Sequence, residues 1–147
     1  MLIIQNNTIV REHEGQILWT MAVDKLKLIG EYTTAAGPMV DDWFFVFAET
    51  VEFDKLRLAT ALEIEHTQFW GQLRACLDCG ADCKMAPHLF ASTSWASRVM
   101  YPEKLAGQEL FKLVKLESVT KNFWRRLFGN DADERIELTQ EVQQFFA

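Results

Sequence analysis

The chain is poor in residues that staple, break or embed a fold. It has 3 cysteines and 3 prolines among 147 residues. All the cysteines fall between Cys76 and Cys83, too close together to link distant parts, so a disulfide scaffold is disfavoured and a reducing compartment is expected. No run approaches the roughly 18 consecutive apolar residues of a membrane helix. The opening stretch, Met1 to Asn7, has neither a basic region nor an apolar run of signal-peptide length. A soluble, cytoplasmic protein with no membrane association is the expectation. Basic charge is also short, with 15 Lys and Arg against 21 Asp and Glu, a net of −6. That balance argues against a nucleic-acid partner, which needs a basic face. Phosphate and dinucleotide fingerprints are missing, because Gly71, Gly80, Gly107 and Gly129 stand alone. No serine or cysteine sits in a G-x-S-x-G elbow.

What is present is apolar. Hydrophobic residues make up 49 % of the chain and aromatics 12 %. That suffices for a real core, and with no linker, repeat or low-complexity tract the chain reads as one domain, residues 1–147. The charge is uneven: residues 1–73 hold 5 positive and 11 negative charges, whereas 74–147 hold 10 of each.

Residues 8–49 read as an antiparallel meander. Thr8–Glu12 favours a strand, Gly15 allows a hairpin tip, and Ile17, Trp19 and Met21 share one face of the return strand. In residues 25–33, Leu26, Leu28 and Tyr32 alternate with Lys25, Lys27, Glu31 and Thr33, which predicts one apolar and one wet face. Trp43–Ala48 is apolar on both faces and is therefore expected at the centre of the sheet, covered on both sides. One more strand is expected within Val51–Ala61, with Leu56 and Leu58 inward. Leu62, His66, Phe69, Leu73 and Cys76 then recur at helical spacing, predicting the main helix over about 62–79, closed by Gly80. Residues 84–91 read as a strand broken by Pro87, and 92–106 as loop. Residues 109–116 fit helix and strand equally. Ser118–Gly129 and a last helix opened by Asp131 and Glu134, with Leu138, Val142 and Phe145 inward, complete the prediction.

The expected class is α+β: a meander of about four to six strands packed on one main helix, with short C-terminal helices. The order of elements resembles pleckstrin-homology-like modules, in which a bent sheet is closed by a helix. The resemblance is one of topology, carries no residue motif and implies no function.

Three groups of residues are candidate sites. Glu31, Asp41 and Asp42 flank one turn, and clustered carboxylates can bind a hard cation or carry out acid–base chemistry; capping and solubilising the turn is the plainer role. Trp95, Arg98 and Tyr101 lie in a hydroxyl-rich stretch and are residue types that dominate binding hot spots. The plainer role here has Trp95 and Tyr101 plugging the core and Arg98 pairing with an acid. Cys76, Cys79, Cys83 and His88 offer three thiolates and an imidazole, a chemically complete zinc set, at a spacing foreign to the common fingers. A basic amphipathic stretch, Lys121–Phe128, fits a packed helix with a solvated cationic face. No cofactor is implied. The expectation is a non-enzymatic binding or interaction module (regulatory, adaptor or immunity-type) with a protein partner or small ligand, and a homodimer is left open. The alternative is a small enzyme or metal-binding protein using the carboxylates or the cysteine cluster.

Overall fold

The computed structural model describes residues 1–34, 42–50, 52, 55–78, 85–89, 94–115 and 134–146. Expectations placed on Asp41, Cys79, Gly80, Cys83 and residues 118–133 lie outside these.

The first sheet has the order β1-β2-β3, from β1 (Leu2–Gln5), β2 (Thr8–His13) and β3 (Gln16–Ala22). Both of its turns are two residues long. Asn6 and Asn7 have φ of 48° and 58°, and Glu14 and Gly15 have 51° and 80°. Two successive positive φ values match the right-handed twist of the flanking strands, and Asn and Gly accept them at least cost.

The second sheet has the order β6-β5-β4-β7, from β4 (Leu28–Thr33), β5 (Trp43–Ala48), β6 (Arg57–Thr60) and β7 (Ala96–Tyr101). β4 and β5 pair from Leu28↔Ala48 to Thr33↔Trp43, the hairpin expected from the sequence. β5 lies in the interior of the sheet and is covered on both faces. Phe45 and Phe47 enter one core with Ile9, Met21, Phe69, Trp70 and Leu73. Val46 and Ala48 enter the other with Tyr32, Val99, Leu110 and Val142. The first sheet and helix α1 (His66–Leu77) cover one face. A hairpin of β8 (Phe111–Lys115) and β9 (Glu134–Leu138), with helix α2 (Gln140–Phe145), contributes to the cover on the other. The class is α+β, with antiparallel pairing throughout the sheets.

Several expectations are corrected. The strands distribute over three sheets, with α1 between β6 and β7, and do not confirm the pleckstrin-homology-like order. α1 begins at His66, because Ala61–Glu63 forms a separate tight turn in which the Glu63 carboxylate accepts the Thr60 amide at 2.7 Å. Leu62 is consequently 84 % exposed, and Cys76 is exposed too. The inward residues of α1 are Phe69, Trp70 and Leu73. β4 has no wet face, since Glu31 and Thr33 are buried beside Ile29. Ile17 does not join Trp19 and Met21 inside: the β2–β3 register shifts between Arg11 and Glu12, leaving Leu18 as a bulge that turns the end of β3 outward. Residues 96–101 are a strand, not a loop, and Glu134 lies in β9 rather than opening the last helix. Phe145 is largely exposed. No helix among the described residues is long and apolar enough to cross a membrane.

Candidate functional site

The candidate carboxylate Glu31 lies in the middle of β4, on the face that meets α1. In register it stands opposite Phe45 on one side and Arg98 on the other. Its side chain is fully buried, which for a carboxylate is costly unless the charge is met by donors and a countercharge. The neighbourhood supplies both. Oε1 accepts the backbone N–H groups of His88 at 2.7 Å and Leu89 at 3.0 Å, and Arg98 Nη1 at 3.1 Å. Oε2 accepts the indole N–H of Trp43 at 3.1 Å. Gly30, next in the strand, lets β7 come close: a Cβ there would collide with the buried Leu110 side chain and press on the Arg98 carbonyl.

The pair also fixes residues 85–89, which have no regular structure. Arg98 Nη1 reaches the Ala86 carbonyl at 3.4 Å, and Arg74 of α1 donates to the Met85 carbonyl at 2.7 Å. The segment is held to the sheet by Glu31 and Arg98 and to the helix by Arg74. Backbone groups left unpaired by irregular structure are satisfied here by side chains.

The remaining candidates fall around this centre. Asp42 is buried, and its carbonyl accepts the Thr34 amide at 2.9 Å. It stands three positions along from Glu31, about 10 Å at the rise of a strand. Glu31 and Asp42 are not a facing carboxylate pair, and both Glu31 oxygens are occupied. Trp95 packs in the second core, its ring 6.2 Å from Tyr32. Tyr101 packs against the first core. Of the cysteine and histidine set, Cys76 is a free, exposed thiol at the end of α1. His88 is exposed and contributes its backbone amide to Glu31. Among the described residues no group of three or more His, Cys, Asp or Glu is placed to hold a metal ion.

A histidine not taken as a candidate proves well integrated. Trp70 donates its indole N–H to His66 Nδ1 at 3.0 Å, so Nε2 carries the ring proton and donates to the Ala61 carbonyl, also at 3.0 Å. The ring stacks on Trp43 at 5.3 Å and 8°. The signal was the His66-x-x-x-Trp70 spacing, which puts two hydrogen-bonding rings on one face of a helix. On the opposite face of the sheet, Tyr32 stacks on Phe44 and meets Phe111 edge-on, and burial pushes its phenol well up.

A second buried-edge pair joins the first sheet to the turn before α1. Arg11 Nε donates to Glu63 Oε1 at 2.7 Å. Burial pushes the Glu63 carboxyl up. The Arg11 hydrogen bond, the Thr60 amide and the charges of Arg11 and the amino terminus outweigh it and hold the group below the usual carboxylate value. The folded form therefore favours the carboxylate, and its contribution is complete at neutral pH and is lost as pH falls through the lowered value. Glu63→Gln is expected to melt below the unaltered protein at pH 7, with the gap closing below about pH 4. Thermal melts from neutral to acid pH check this; a gap constant across the series counts against the assignment.

Among the described residues, two adjacent exposed apolar side chains, Ile17 and Leu18, lie at the end of the first sheet. Met1, Glu12 and Ile17 form a row across the first sheet, since Glu12 N–H donates to the Met1 carbonyl at 2.9 Å and Glu12 pairs with Ile17. Ile17 is 64 % exposed, Leu18 49 % and Met1 57 %. No protein-family model, no curated protein and no solved structure matches this chain.

Proposed function

We propose that the protein is a non-enzymatic binding module that engages a protein partner through the end of its first sheet. The observation that carries this reading is the adjacent pair Ile17 and Leu18, both large and apolar, 64 % and 49 % exposed. Exposed apolar side chains gathered at one place mark contact surfaces, whereas scattered ones do not. The polar groups that suggested chemistry point the other way: Glu31 and Arg98 are consumed in holding residues 85–89. A cytoplasmic setting belongs to the same reading, since an exposed free thiol such as Cys76 persists best in a reducing compartment.

The test is capture from the native cell with the unaltered protein and with Ile17→Asp/Leu18→Asp. Both side chains are exposed, so the melting temperature is expected to stay within a few degrees. A partner enriched by the unaltered protein is expected to vanish with the variant. A partner list that is identical for both proteins overturns the reading.

A further inference from the structure

The turn Ala61–Glu63 carries Leu62, the most exposed large apolar side chain among the described residues. The backbone beneath it is braced. Ile64 N–H donates to the Ala61 carbonyl at 3.3 Å, and the same carbonyl accepts His66 Nε2 at 3.0 Å. Glu63 accepts the Thr60 amide and Arg11 Nε, each at 2.7 Å. Ile64 bridges to Leu2 of β1. Leu62 is therefore held out into water by a fixed turn. An anchor ordered before contact loses less entropy when it binds.

Beside Leu62 lies an open hollow of about 670 Å³, whose lining includes Met1, His13, Ile64 and Glu65. That volume falls in the range of about 300–1,000 Å³ that accepts small organic groups, so a few side chains fit. The hollow runs on into the end of the first sheet. Met1 is bonded to Glu12, which pairs with Ile17, and His13 pairs with Gln16.

The acids around this surface outnumber the cations left to meet them. Arg11 and the amino terminus both lie on Glu63, at 2.7 and 3.8 Å. Among the described residues, Glu14 meets only the exposed His13 ring, at 3.9 Å, and no cation lies within ion-pair distance of Glu12 or Glu65. The wider field has the same sign, since residues 1–73 hold 11 acidic against 5 basic side chains. A surface of one sign draws partners of the other. It repels a second copy of this chain, a nucleic acid and an anionic lipid surface alike. A small cation answers the carboxylates but leaves Leu62 and Met1 in water. A polypeptide bearing both basic and apolar side chains answers both.

We propose that this surface docks a basic amphipathic segment of a protein partner. Its apolar side chains fill the hollow against Leu62 and Met1, and its Lys or Arg groups reach Glu12, Glu14 and Glu65. The inference rests on the binding-module reading and names the chemistry of the partner.

The probe is a helical peptide of leucine and lysine, spaced so that one face is apolar, titrated into the isotope-labelled full chain. Two control peptides carry serine for each leucine, or glutamate for each lysine. The leucine–lysine peptide is expected to shift amides of residues 11–18 and 60–65, and to bind at least about tenfold more tightly than either control. Raising salt from about 50 to 300 mM is expected to weaken it about tenfold. Leu62→Ser and Glu12→Gln/Glu14→Gln are each expected to weaken it by about the same factor at an unchanged melting temperature, because these side chains lie at the surface. Shifts spread over the whole acidic half overturn the proposal, as does binding that Leu62→Ser leaves intact or that the glutamate peptide equals. A second copy seated here shows as twice the 17.0 kDa chain mass in sedimentation and overturns it too. A cellular partner lost with Ile17→Asp/Leu18→Asp, yet indifferent to Leu62→Ser and to salt, overturns the basic segment while the binding-module reading stands. No cellular partner and no peptide binding overturn both.

Discussion

Arg98→Ala is expected to lower stability by about 3 kcal/mol or more, among the largest effects of any single change. The substitution leaves the Glu31 carboxylate fully buried without its cation, and removing one member of a buried pair typically costs about 3–5 kcal/mol. Arg98 itself keeps some exposure, at 19 % of its side chain, which places the expectation at the lower end. The three N–H donors from His88, Leu89 and Trp43 remain, so the carboxylate is hydrogen-bonded but unneutralised. Adding Glu31→Gln to Arg98→Ala is therefore expected to recover part of the loss, because it removes the stranded charge and keeps an acceptor for the amides. Urea unfolding of the two single variants and the double variant measures the coupling. Simple additivity of the two losses would show that the pair does not act as a pair.

Trp70→Ala carries the second large effect, at about 3–5 kcal/mol. The indole is 2 % exposed and, among the described residues, meets four other rings: Phe45 at 4.9 Å, Phe69 edge-on at 4.9 Å, and Phe47 and His66 each at 6.4 Å. Alanine leaves a void at the junction of α1 and β5 and strands His66 Nδ1 without its donor. Trp70→Phe keeps most of the ring contact and loses mainly the N–H, so a smaller cost of about 1–2 kcal/mol is expected. The denaturation midpoint is the measurement, with an unchanged slope showing that the native state stays compact. A Trp70→Ala protein within about 1 kcal/mol of the original would mean that the cluster collapses around the gap.

The hairpin β2–β3 was legible because a β-favouring run, a glycine tip and a return strand follow one another, and β4–β5 because two largely apolar runs flank one turn. The burial of β5 on both sides was legible for a simpler reason: Trp43-Phe44-Phe45-Val46-Phe47-Ala48 has no residue fit for water. That same fact implies cover for its neighbour β4, and it overrules the alternation that made Glu31 look wet. β7 was hidden because Ser94 and Ser97 give its stretch the composition of a loop. Ser97 Oγ in fact accepts the Leu110 and Phe111 amides, a structural use that composition cannot reveal. β9 was hidden by its charges, since Glu134, Arg135 and Glu137 mask an alternation with Ile136 and Leu138, and Asp131 with Glu134 imitates a helix start. Of the candidate site, the Glu31–Arg98 pairing could be guessed as an acid near a base, but the contribution of residues 85–89 could not. It comes from backbone amides, which every sequence has.

The second sheet is a partition with tenants on both sides. Phe45 and Phe47 press on one core while Val46 and Ala48 press on the other. A sheet with one solvated face can lean outward to absorb an added methyl group; this one has nowhere to lean. An enlarged side chain in either core is expected to be felt across the wall, so variants in the two cores that are separated by a single peptide plane should fail to behave as independent sites.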